Sequence, residues 1–296
     1  MTHNSVEDDI AIAQQTTAAV KFVVKNWGFA TKLAIQSFTE FLGTFLFLFI
    51  AFGGVQSALK TNASALETNP SVAFIEIALT FGCGLAAAIF FTFRISGGAL
   101  NPAVSFGLLV AGVTDVFVFT AYTVAQVIGS ILACVLVAVA FPGDFKGANQ
   151  LLDNTTFVQG FIIETVLTMG LVLLVLFLAV EKSKITFWAP MMIGIYVFTA
   201  HLLAIPYTNT SLNPARTVGA AVVTGIWDHH FTLFWFAPFT GAAIAGGLYR
   251  FYKVIDYHTL NPGQDSDGSV SENFEEILEQ KLEKSKFLRM FFKKDE

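Results

Sequence analysis

Two copies of one tripeptide, Asn101-Pro102-Ala103 and Asn213-Pro214-Ala215, carry the strongest chemical signal in the chain. Asparagine is a preferred cap for the start of a helix, and proline is favoured at the first helical position, where its missing N–H costs nothing. Each tripeptide therefore reads as a helix start. The amides of a first helical turn have no partners within the helix, and the aligned peptide dipoles place roughly half a positive charge there. Such a site donates hydrogen bonds to a small polar guest and repels a cation. It supplies neither a nucleophile nor a base. Few other polar residues interrupt the apolar stretches: Glu40, Gln126, Glu164, His201 and Arg216 stand out. An arginine embedded in apolar sequence is costly and functional by default. No nucleophile, metal cluster or paired carboxylates converge, so an enzyme is disfavoured and no cofactor or metal is expected.

The elements that must position these residues are membrane spans. Of 296 residues, 54% are hydrophobic and 13% charged, against about 25% charged in average soluble chains. Six runs, at about 33–59, 72–93, 116–141, 157–180, 185–205 and 231–254, are long enough for a bilayer-crossing helix, which takes ~20 residues. Continuous apolarity rather than alternation favours helices over a strand barrel. Two shorter apolar segments, 100–113 and 212–226, each open with Asn-Pro-Ala and read as half-helices entering from one side. Irregular backbone at that depth is tolerated only where it lines a cavity or is buried in protein, which predicts a water-filled path. The expected fold is an all-α membrane protein: six transmembrane helices and two re-entrant half-helices.

The chain repeats internally, at about 33–141 and 157–254. Each half holds three spans and one half-helix, and an odd number of spans inverts the second copy. Inverted repeats put the functional site near the midplane, where the copies meet. Glu40 and Glu164 occupy equivalent places and read as braces that accept hydrogen bonds from the re-entrant loop of their own half, with Gln126 assisting near the first half-helix. Lys21, Lys25, Lys32, Arg94, Lys182, Lys184, Arg250 and Lys253 collect on one side, which is then cytoplasmic and holds both termini. The sequons at Asn62 and Asn154 fall in the opposite loops as glycosylation candidates, and one at Asn209 reads as too buried to be used. Cys83 and Cys134 lie within spans and read as buried. No signal peptide is discerned, and the first span serves as the targeting signal. Residues 1–32 form an N-terminal tail, 33–254 a channel-like domain and 255–296 a C-terminal tail. In the latter, Ser266, Ser269 and Ser271 lie among acidic residues, before a basic amphipathic segment suited to the membrane surface, a kinase or a calmodulin-like partner. The net charge of −5 gives no nucleic-acid footprint.

The segments Ser96-Gly97-Gly98-Ala99-Leu100-Asn101-Pro102-Ala103-Val104 and Ser211-Leu212-Asn213-Pro214-Ala215-Arg216, with Glu40-Phe41-Leu42-Gly43-Thr44 and Tyr122-Thr123-Val124-Ala125-Gln126, resemble the aquaporin (major intrinsic protein) family over roughly residues 33–254. The resemblance implies a passive water channel assembled as a homotetramer in a plasma or vacuolar/endomembrane, with membrane lipid as its surroundings. It implies a constriction of Phe81, His201, Thr210 and Arg216, and a path lined by Gly97, Gly98, Ala99, Leu100, Asn209, Ser211 and Leu212. Phe and His restrict the aperture to about one water, and His201 and Arg216 are expected to donate hydrogen bonds there. Facing helix starts would add cation exclusion, a principle that aquaporin-type pores themselves illustrate. Thr217 after Arg216 and the bulk of His201 favour the water-selective branch over glycerol conduction. A secondary transporter is the rival reading, because it too uses inverted repeats and broken helices. Three departures stand out: Ala99 where the family commonly has His, Arg94 before the first loop, and Pro206 early in the second, where it should stiffen the backbone.

Overall fold

A computed structural model describes residues 28–64, 69–152, 154–261 and 264. The three tail serines, the amphipathic segment and most of the N-terminal tail lie outside the described residues. The first repeat contributes α1 (Phe29–Thr61), α2 (Ser71–Thr92), the half-helix α3 (Pro102–Val110) and α4 (Val116–Ala140). The second contributes α5 (Phe157–Leu174, continued as π-helix over Val175–Val180), α6 (Ala189–Thr208, led in by a 3-10 turn over Lys184–Trp188), the half-helix α7 (Pro214–Thr224) and α8 (Leu233–Val254). Local sequence sets several boundaries. Asp115 caps α4 by accepting from Phe117 N and Val118 N at 2.8 and 2.9 Å. Thr156 and Gln159 form a capping box at the start of α5.

Five of the helices are long and apolar enough to cross a membrane. α8, at 22 residues, is long enough but is not among the five. Its small residues, Trp235 and Arg250 dilute its apolarity, and it holds its place by packing along α5. The bundle is inside-out relative to a soluble protein. Glu40, Gln126, Glu164 and Arg216 are buried, while Phe38, Phe117, Val139 and Phe236 face outward. Among the described residues that pattern fits a hydrocarbon surround, where apolar side chains are at home on the outside and polar ones must find partners within.

Packing follows the repeat. α1 lies along α4 as α5 lies along α8, and α2 and α6, the middle spans of the two halves, cross each other. Each half-helix also packs on the last span of the opposite repeat, α3 on α8 and α7 on α4. Small residues allow these approaches. At the α2–α6 crossing a Cβ on Gly82 would stand 2.6 Å from Gly194 O, and one on Gly194 would stand 2.6 Å from Gly82 O. The α5–α8 contact is tighter: a Cβ on Gly241 would meet Thr165 O at 2.2 Å and Met169 N at 2.8 Å. Backbone atoms cannot step aside, so Gly241→Ala should force the two helices apart. We expect a cost of about 1–3 kcal/mol, typical of overpacking, read as a lower midpoint of thermal unfolding in detergent. An unchanged midpoint would mean that the two helices can separate here at no cost.

Two sequence expectations need correction. Cys134 is buried, but Cys83 is exposed on the outer face of α2. Apart from Glu76 and a few hydroxyl residues α2 is apolar, so its sequence gives little sign of which side faces in. Pro206 does not belong to the second loop; it lies inside α6, which continues to Thr208. A proline so near the C-terminal end removes little of the helix ladder, and Asn209 then ends the helix with φ 55°. On the same side as the end of α5, Glu181 receives Lys253 Nζ at 3.1 Å and the Tyr249 hydroxyl, tying the chain after α5 to the end of α8. Partial burial pushes the Glu181 carboxyl up, but the hydrogen bonds from Tyr249 and Lys253 and the charges of Lys253 and His258 outweigh it and hold it below the usual range.

Candidate functional site

The two Asn-Pro-Ala segments meet at the centre of the bundle. Asn101 and Asn213 both have extended backbone, and Oδ1 of each caps its own half-helix: Asn101 accepts from Ala103 N at 2.8 Å, and Asn213 from Ala215 N at 3.0 Å and Arg216 N at 3.3 Å. The other end of each side chain crosses to the opposite repeat. Asn101 Nδ2 donates to Leu212 O at 2.8 Å, and Asn213 Nδ2 donates to Leu100 O at 3.0 Å. One N–H of each amide is thus spent on structure, leaving one for a guest. Leu100 and Leu212, the accepting residues, are both left-handed, with φ 50° and 52°. For residues with a Cβ this conformation costs about 1–2 kcal/mol each, so the loops need external support.

Glu40 and Glu164 supply it. Glu40 accepts from Ser96 Oγ at 2.6 Å, Ala99 N at 3.1 Å, Leu100 N at 2.7 Å and Gln126 Nε2 at 2.8 Å. Gln126 Nε2 also reaches Ser105 Oγ in the first half-helix at 3.0 Å. Glu164 accepts from Thr208 Oγ1 at 2.7 Å, Ser211 N at 2.8 Å and Leu212 N at 2.8 Å. Both carboxylates are fully buried, and every one of these contacts is a donor pointing at them. The arrangement braces both re-entrant loops.

The Phe81 and His201 rings stack with centroids 4.1 Å apart, and the Arg216 guanidinium lies 5.5 Å from the Phe81 ring and 5.1 Å from the Phe52 ring. His201 Nδ1 is 2.8 Å from Val197 O. A carbonyl only accepts, so Nδ1 carries the proton, and Nε2 has no partner among the described residues. With Nδ1 committed to Val197 O, a neutral His201 ring offers Nε2 as an acceptor, while the Arg216 guanidinium can only donate. Arg216 Nη1 donates to Gly147 O at 2.6 Å and to Asn149 Oδ1, Nη2 donates to Asn209 O at 3.0 Å, and Nε has no partner among the described residues. Phe81, His201 and Arg216 line both a central cavity of about 30 Å³ and a wider vestibule of about 560 Å³. They form the wall between the two. Asn101, Asn213, Gly98, Ala99, Ser211 and Leu212 line the central cavity, and Asn209 lines the vestibule. A volume of ~10–15 Å³ holds one water, so the central space suits a very short file.

Thr210 stands apart. It is fully buried, lines neither cavity, and its Oγ1 has no partner among the described residues. Asn149 was not legible in the sequence. It lies in the loop joining the repeats, donates to Thr208 O and Asn209 O at 3.1 Å each, and accepts from Arg216 and from Thr217 Oγ1 at 2.7 Å. One amide thus holds both the arginine and the loop beside it. Among the sequons, the Asn62 side chain is engaged with Ala58 O at 2.9 Å and Glu76 Oε2 at 3.0 Å. Asn154 is exposed in a left-handed turn.

The chain is similar to known proteins along most of its length. The profile described as "Major intrinsic protein" matches residues 27–249. Aquaporin-1 of Gibberella zeae is 41% identical over 230 residues, covering 77% of this chain and 72% of that protein. Aquaporin-7 of Botryotinia fuckeliana is 40% identical over 244 residues, covering 80% of this chain and 53% of that one, so the chain spans about half the length of this second relative. The X-ray structure of the aquaglyceroporin from Plasmodium falciparum superposes with a TM-score of 0.65 at 21% identity, over 76% of this chain and 99% of that chain, a likeness of fold.

Proposed function

The chain belongs to the major intrinsic protein family, and from that premise we propose that it is a passive water channel conducting in single file. The family consists of channels, so the chain is an integral multi-pass membrane channel and not an enzyme. The observation that carries water over larger solutes is the Phe81–His201 stack closed against Arg216. Two bulky rings leave little room beside the guanidinium, and the opening offers an acceptor at His201 Nε2 and a donor at Arg216. A water turning its hydrogens one way and its oxygen the other satisfies both. The facing helix starts at Asn101 and Asn213 then repel cations.

Stopped-flow swelling of proteoliposomes in water and glycerol gradients tests this. Water permeability well above empty vesicles, unsaturable and independent of ion gradients, with glycerol slower by about tenfold or more, is the expected result. Equal glycerol and water conduction would instead make the chain a glycerol or small-solute facilitator. Saturation or coupling to an ion gradient would make it a transporter. The same reading takes the assembly as a homotetramer with both termini cytoplasmic, Asn154 as an open glycosylation site, and Ser266, Ser269 and Ser271 as a tail site through which a kinase could act on flux.

Mercurials give a further check. Cys134 is buried and Cys83 lies on the outer face of α2, away from both cavities. Mercury should therefore modify Cys83 without changing water flux. Inhibition abolished by Cys83→Ser would contradict the placement of the path.

A further inference from the structure

Asp228, His229 and His230 follow Gly225, the residue that ends the second half-helix, in the turn leading to α8. We propose that they form a site for one divalent transition-metal ion of the zinc type. Asp228 Oδ1 stands 3.5 Å from His230 Nδ1 and 3.7 Å from His229 Nδ1, and one ligand atom from each of the three lies within 4.8 Å of the other two. Two ligands on a tetrahedral zinc ion, each bonded at ~2.0–2.2 Å, sit roughly 3.3 Å apart. The trio is open by only a few tenths of an ångström at its two Asp–His edges. His229, with its side chain 81% exposed, is free to rotate and close that gap.

The turn holds the other two groups in place. His230 N donates to Asp228 Oδ1 at 2.6 Å, and Phe231 N donates to Asp228 O at 2.8 Å. The Asp228 side chain is only 10% exposed, so its carboxylate is fixed and poorly hydrated. The His230 ring rests beside Phe157 at 5.7 Å, yet its Nδ1 is buried and has no hydrogen-bond partner among the described residues. A buried ring nitrogen left without a partner is costly unless something else binds it. The two imidazoles lie 3.7 Å apart and present their Nδ1 atoms to the same carboxylate oxygen. Two imidazole nitrogens and one carboxylate oxygen form a donor set that favours zinc, copper or nickel over calcium and magnesium, which prefer oxygen alone. With the remaining positions open to solvent, the ion would be exchangeable. Its occupancy would tie three consecutive side chains of the turn between the half-helix bearing Arg216 and the last span.

Calorimetric titration of the full-length chain in detergent with zinc chloride at neutral pH tests the site. One ion per chain is expected, with no heat from magnesium or calcium. His229→Ala should weaken zinc binding about tenfold or more, since a ligand ought to matter at least as much as the outer contacts of a metal site. Asp228→Asn, which keeps an oxygen for the turn, should do the same. His229 is exposed and outside the pore wall, so His229→Ala should elute and conduct water as the unmodified chain does. Zinc affinity and stoichiometry unchanged in both variants, or no zinc binding at all, would overturn the proposal.

Discussion

Replacing Phe81 and His201 together with alanine should let glycerol pass this channel far more readily. The two rings stack at 4.1 Å and, with Arg216, separate the vestibule from the central cavity. Truncating both removes the side of the opening that faces the guanidinium and opens a continuous path between the two spaces. Glycerol permeability should rise about tenfold or more, the scale on which pocket size discriminates, while water flux stays the same or rises. Among the described residues the His201 side chain hydrogen-bonds only to Val197 O of its own helix, so its loss should not disturb other elements. Arg216→Val on the same background should add a cation leak, because it removes a fixed positive charge from a narrow constriction. Stopped-flow light scattering with glycerol, and a potassium flux assay for the triple variant, read both effects. Glycerol exclusion as strict as before would place the constriction elsewhere.

Glu164→Ala should be severely destabilising, more so than Gly241→Ala. The Glu164 carboxylate takes Thr208 Oγ1, Ser211 N and Leu212 N, all buried. Each orphaned donor costs about 1–3 kcal/mol, and the sum approaches the whole margin of ~5–15 kcal/mol by which folded domains usually exceed unfolded ones. Leu212 is moreover left-handed, so the loop has strain to release once its support goes. Little assembled protein should be recovered, and what remains should unfold well below the unmodified chain. Glu164→Gln should fall between, because one oxygen still accepts but the new NH2 faces a donor. A midpoint within about 2 °C of the unmodified protein would mean that water replaces the carboxylate easily.

Much of this arrangement was readable from the chain because hydrocarbon allows few solutions. Runs of apolar residues with no polar face can only be spans, and an Asn-Pro pair within a shorter run can only start a helix there. Glu40, Glu164, His201 and Arg216 stood out because polar residues in such surroundings need a reason. The same uniformity hid other things. α2 presents no polar stripe, so the outward direction of Cys83 could not be read. Asn149 lies in a connecting loop without periodicity, and its contact with Arg216 spans 67 residues of sequence. Nothing in its neighbourhood announces that the arginine's position depends on it. Hydrogen-bond polarity at His201 was also out of reach, because it depends on which nitrogen faces Val197 O.

The exchanged asparagine bonds have a consequence for how the molecule comes into being. Asn101 Nδ2 waits for Leu212 O, 111 residues later in the chain, and Leu100 O waits for Asn213 Nδ2, 113 residues later. A ribosome adding roughly 5–20 residues per second leaves the first half-helix without these partners for on the order of ten seconds. Throughout that interval its start must stay in contact with water, the translocation machinery or a chaperone, since lipid offers nothing in exchange. The first half therefore cannot reach its final form while it is being made. The midpoint of the path closes only when the second Asn-Pro-Ala arrives, so truncated products would be recognisable to quality control by an unfinished centre.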